Sequence, residues 1–87
     1  MHVDFKTHER DVLDYSVVLL VETDAKMETV RLHDGSHGQN ELHRYTRSTG
    51  KQAAEIVHDG TLGEGMRAAI EEIEHGYQAM IESWRKL

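Results

Sequence analysis

Apolar residues fall at Leu62, Met66, Ile70, Ile73, Tyr77, Ile81 and Trp84, in steps of four, four, three, four, four and three. That spacing is one face of an α-helix, and Ala69 and Met80 widen it. The helix has a start and a stop. Thr61 followed by Glu64 fits a capping box, in which the threonine hydroxyl accepts the N3 amide and the glutamate reaches back. Arg85 and Lys86 lie in the last turn, where cations oppose the helix dipole. The spacing predicts a helix over 62–85, about 36 Å long. Gly65 and Gly76 interrupt it at about 1 kcal/mol each relative to Ala, which points to close packing or a bend. A helix this long in a chain of 87 residues leaves room for one small sheet and one domain, residues 1–87.

The sheet is legible upstream. Tyr15 to Glu22 reads YSVVLLVE, and the unbroken run Val17 to Val21 marks a strand buried on both faces. Met27 to His33 alternates, with Val30 and Leu32 against Arg31 and His33, and pairs with it across the turn Thr23 to Lys26. Asp34 to Asn40 contains Gly35 and Gly38 and no apolar residue, so it is a loop. Glu41 to Arg47 alternates again, and Ser48-Thr49-Gly50 turns the chain. Residues 2–6 and 53–58 are candidate further strands, and 7–14 reads as a loop or one helical turn. The fold class is α+β: an antiparallel sheet of three to four strands packed by one long C-terminal helix. One helix covers one face only. Val17 to Val21 therefore asks for a second cover, from the N-terminal segment or from another chain. A homodimer or an obligate protein partner is expected.

Composition removes several functions. With no cysteine there are no disulfides, no thiolate zinc sites, no iron–sulfur clusters and no thiol nucleophile. The longest apolar run is far below the roughly 20 residues of a membrane span, and the N-terminus carries no signal-peptide pattern. A cytoplasmic protein without membrane contact is expected. The formal net charge is −6, but the middle of the chain is basic. Residues 31–52 hold Arg31, Arg44, Arg47 and Lys51 against Asp34 and Glu41, together with His33, His37 and His43.

With Val30, Leu32 and Leu42 turned to the helix, alternation puts Arg31, His33, Glu41, His43, Tyr45 and Arg47 on the opposite face. A slip of one residue would bury Tyr45 instead. On that placement His37 and His43 are acid/base candidates, with Asp34 and Tyr45 beside them. Arg31, Arg44, Arg47 and Lys51 are phosphate-binding candidates. These are the parts of a metal-independent ribonuclease, and RNA is the partner they suggest. The overall acidity counts against a broad nucleic-acid footprint. It favours a protein-binding module: an inhibitor, an adaptor or a toxin–antitoxin component. His33, His37 and His43 also compete for a metal reading, but H-E-x-x-H is missing, so neither metal nor cofactor is expected. Gly60 to Gly65 is glycine-rich at a helix start, yet Glu64 would repel an anion there, and the segment reads as a cap.

The segment Val30-Arg-Leu-His-Asp34-Gly, then His37-Gly, then His43-Arg-Tyr45, followed by the helix from Thr61, resembles the TumE family of small prokaryotic toxin–antitoxin proteins. The resemblance spans roughly residues 15–84 in the order of elements. It implies a short α+β chain that acts on RNA and pairs with an antitoxin, with Asp34, His37, His43 and Tyr45 as the corresponding site residues.

Overall fold

The structure is a computed structural model that describes residues 1–24 and 26–87. Ala25, in the predicted turn Thr23 to Lys26, lies outside the described residues. Six strands precede the helix: β1 (His2–His8), β2 (Asp11–Thr23), β3 (Lys26–Asp34), β4 (Asn40–Thr46), β5 (Gly50–Lys51) and β6 (Glu55–His58), then α1 (Leu62–Lys86). The sheet is an antiparallel meander in the order β1-β2-β3-β4-β5, and β6 pairs with the start of β4. The α+β architecture stands. The sheet is wider than three or four strands because the N-terminal arm, 50–51 and 55–58 all pair.

Residues 7–14, expected as a loop or helical turn, are largely strand. Only Glu9 and Arg10 turn the chain, and Glu9 adopts a φ of 58°. The pairing Phe5↔Tyr15 carries this hairpin past the end of the apolar run. Its outer residues are mostly polar, and its two apolar ones, half-buried Val12 and exposed Leu13, are adjacent, so alternation gave no sign of it.

The helix starts as its sequence dictates. Thr61 Oγ1 accepts the Glu64 amide at 3.1 Å, and Glu64 Oε1 accepts the Thr61 amide at 3.4 Å. These bonds satisfy two amides that a helix start leaves without partners. Met66, Ala69, Ile73 and Trp84 pack on Tyr15, Val17, Leu19 and Val30 of the sheet. Tyr77 departs from the predicted stripe and is 45% exposed, because the buried line runs Ile73, Met80, Trp84.

Among the described residues no element covers the second face of β2. The N-terminal segment pairs edge-on as β1 instead of folding over it, which leaves Val18 and Leu20 half-buried. Among the described residues no helix is long and apolar enough to cross a membrane.

The predicted division of the faces fails on β3, for an identifiable reason. Leu19 pairs with Arg31 and Leu20 with Thr29, so Val30 is the extra residue of a β-bulge. An extra residue reverses the alternation beyond it. Val30 faces the helix as expected, but so do Arg31, opposite Leu19, and His33, opposite Val17 and Leu42. Leu32 turns the other way, beside Val18.

Candidate functional site

The hairpin end between β3 and β4 builds a polar cluster on the face that the helix leaves open. Asp34 closes β3, and its Oδ1 accepts the Ser36 amide at 3.3 Å and the Ser36 hydroxyl at 3.0 Å. This is the Asx-type turn that aspartate favours at a loop start. Gly38, at a φ of +78°, then returns the chain, and its amide bonds the Gly35 carbonyl at 3.0 Å. The loop hangs His37 over β4, where its Nδ1 lies 2.7 Å from Glu41 Oε1.

Register places two carboxylates together. Asp34 and Glu41 are direct cross-strand partners, so their side chains share a face. They are 8% and 9% exposed. Like charges directly opposite one another destabilise a strand pair, and burial raises the cost. Each carboxylate has an imidazole beside it. His37 serves Glu41. His43, two residues along the same face, holds its Nε2 3.9 Å from Asp34 Oδ2. The Nδ1 of His43 lies 3.0 Å from the Gln52 carbonyl. A carbonyl only accepts, so Nδ1 carries a proton and donates it, which leaves Nε2 facing Asp34. The hydrogen bond to Glu41, followed by its charge, raises the pKa of His37 above the ordinary value.

The other candidate residues do not join this cluster. His33 is 2% exposed on the helix face, and its Nε2 has no hydrogen-bond partner among the described residues. Burial pushes its pKa down to about 4. Arg31 donates to Glu72 Oε1 of the helix at 2.8 Å, and Arg44 donates to Glu55 Oε2 at 2.9 Å. Arg47 lies 6.0 Å from the centroid of the Trp84 ring. Lys51 is exposed on the short edge strand β5. Tyr45 packs against the core and lines a hollow with Val30, Met80 and Trp84. Leu42 is buried on the helix face as expected, so β4 does not slip by one residue, yet half-buried Tyr45 still packs against the core. Of the predicted acid/base set, Asp34, His37 and His43 come together, without Tyr45 and without the four cations.

Glu41 is the site residue that the sequence placed on the right face but gave no role. Its signal was the i, i+2 spacing to His43 on an alternating strand. The main-chain oxygen of Gln52 leaves no such trace.

Beyond the cluster, the open face has an apolar centre and an acidic border. Val18, Leu20 and Leu32 are half-buried in the middle. Asp4 and Ser16, and Lys6 and Asp14, are cross-strand pairs on the same face. With Leu32 and Asp34 they line a shallow depression of about 380 Å³. Lys6 is the cation among Asp4, Asp14, Asp34 and Glu41. Comparison with family models, curated proteins and solved structures returns no match.

Proposed function

We propose that the chain is a protein-binding module that works through the open face of its sheet. The observation that carries this reading is the half-exposed strip of Val18 and Leu20, on a strand whose composition asks for burial on both sides, with Leu32 of β3 beside them. The acidic border selects the partner. A protein with an apolar centre and a basic rim complements it, whereas a second copy would set like charges against each other. RNA meets the same carboxylates. The cations that phosphate would need are directed elsewhere, with Arg31 on Glu72 and Arg44 on Glu55. A toxin–antitoxin pair is one setting for such a partner, and the resemblance to the TumE family carries that expectation.

Light scattering of the chain alone and binding to a purified candidate test this reading. Candidates are recovered by cross-linking and re-measured as pure pairs. The expected results are a monomer at all concentrations and a basic partner whose affinity falls in high salt. Leu32→Glu should weaken that pair about a hundredfold or more, the scale of a central anchor residue. Dimerisation of the chain that Leu32→Glu abolishes would instead give the face to a second copy. Partner binding indifferent to Leu32→Glu would overturn the proposal.

A further inference from the structure

The polar cluster at the hairpin end carries an inference independent of the binding face as a whole. We propose that Asp34, His37 and Glu41, with His43 beside them, form a site for one divalent first-row transition cation.

Geometry is the first ground. One ligand atom from each of Asp34, His37 and Glu41 can be chosen so that all lie within 4.8 Å of one another. Three donors about 2.0–2.2 Å from one ion stand about 3.3–3.8 Å apart when spread around it. The site therefore needs a closure of up to about 1–1.5 Å. His37 supplies it, since its side chain is 76% exposed on a five-residue loop. Asp34 and Glu41 need not move, because cross-strand pairing already sets them side by side.

The orientation of His43 is the second and independent ground. Metal-bound histidines commonly donate their remote ring N–H to a carbonyl or carboxylate, which fixes the tautomer and aims the other nitrogen at the ion. His43 has that arrangement with no ion required to create it. Nδ1–H points to the Gln52 carbonyl, and Nε2 points at Asp34 Oδ2. At 3.9 Å, Nε2 and Asp34 Oδ2 stand too far apart for a hydrogen bond to each other, and a cation between them would contact both.

Chemistry chooses the ion. Two carboxylates and one imidazole, with a second imidazole 3.9 Å from Asp34, suit Zn²⁺, Fe²⁺, Co²⁺ or Ni²⁺, whereas Mg²⁺ and Ca²⁺ prefer all-oxygen sites. The ion neutralises the opposed carboxylates, which otherwise cost the fold stability. It also displaces the proton held between His37 Nδ1 and Glu41, so binding releases protons.

The test is calorimetric titration of the chelator-treated chain with Zn²⁺, together with thermal melts in Zn²⁺ and in Mg²⁺. One Zn²⁺ per chain is expected. At a free concentration one hundred times its Kd, Zn²⁺ should raise Tm by about 10 °C or more, and Mg²⁺ at the same concentration should leave it unchanged. Co²⁺ should give the visible absorption of a bound, low-symmetry site. His37→Ala leaves the fold intact, as an exposed loop substitution, and should cut Zn²⁺ affinity at least tenfold. Glu41→Gln should do the same. His2→Ala is the control for the exposed His2–Asp4 pair, and should change nothing. No Tm rise with Zn²⁺, Co²⁺ or Ni²⁺ overturns the proposal. So does Zn²⁺ binding that survives His37→Ala, or that His2→Ala removes.

Discussion

The phenol of Tyr15 donates to Oδ1 of Asn40 at 2.8 Å, across a sequence separation of 25 residues, with both side chains buried. Asn40 spends its amide nitrogen on the chain that leads into the helix, 3.3 Å from the His58 carbonyl, 3.3 Å from that of Gly60 and 3.2 Å from that of Thr61. One amide thus ties β2, β4 and the helix start together. Tyr15→Phe keeps the ring and removes the donor, leaving Asn40 Oδ1 buried and unpaired. The expected loss is about 1–3 kcal/mol in urea unfolding. Asn40→Asp should cost more, because a carboxylate would face three carbonyls. Burial, then the charge of Asp34, pushes the Tyr15 pKa up to about 12. A raised pKa means that its share of stability is present below the unfolded value near 10 and lost as pH rises toward 12. Tyr15→Phe should flatten that alkaline limb.

The same amide explains why a helix tolerates glycine at one position. A Cβ at Gly65 would stand 1.8 Å from Asn40 Oδ1 and 2.1 Å from its Cγ. Gly65→Ala therefore reverses the usual gain from alanine in a helix and should destabilise by about 2–3 kcal/mol. In an Asn40→Ala background the penalty should shrink by at least about 1 kcal/mol, a coupling that a double-mutant cycle measures. Gly76 is a different case. Its nearest neighbour would be the flexible end of Met80, Cε at 3.3 Å. Gly76→Ala should stabilise by up to about 1 kcal/mol. Equal effects at the two glycines would refute this account.

What the sequence disclosed follows the strength of its periodicities. The helix, its cap and β2 were readable because each is written in many residues. The bulge at Val30 was not, because one inserted residue leaves the local alternation of Val30 to His33 unchanged while inverting its meaning. That single feature sent Arg31 and His33 to the helix face, and Tyr45 also turned inward, which separated the expected cations from the imidazoles. Asp34 lies beyond the same bulge, which turns it onto the open face, where its pairing with Glu41 brings it beside His43, and His37 reaches them from the loop. The positioning of His43 by a main-chain carbonyl could not be read at all, since a backbone oxygen has no residue identity.

His33 gives the fold an acid-sensitive point. Its ring is 2% exposed, and Nε2 finds no partner among the described residues. Burial is the chief reason its pKa falls to about 4, from the ordinary 6.5. A depressed histidine pKa means that the folded chain binds fewer protons than the unfolded chain between those values. Its contribution is therefore full above about 6.5 and is lost as pH falls toward 4, at a limiting slope of about 1.4 kcal/mol per pH unit. His33→Leu has similar volume and no unpaired nitrogen. It should equal or exceed the parent in stability at pH 7 and lose stability less steeply between pH 6.5 and 4. An unchanged acid limb in urea unfolding would show that His33 does not titrate as buried.

The pairing of His37 with Glu41 predicts a change of sign with pH. The hydrogen bond to Glu41 is the main cause of the raised His37 pKa, with the charge of Glu41 second. A raised histidine pKa stabilises the fold below the ordinary value, and the contribution is lost as pH rises through the folded-state value. Glu41 has a second neighbour in Asp34, whose carboxylate opposes it across the strands. At low pH the imidazolium offsets that opposition, and above the His37 pKa it does not. Glu41→Gln removes both the pair and the repulsion. It should therefore be destabilising below the His37 transition, and neutral or stabilising above it. NMR titration of the His37 ring should show its midpoint falling back toward 6.5 in the variant. If the midpoint stays where it is, Glu41 is not the partner that holds the His37 proton.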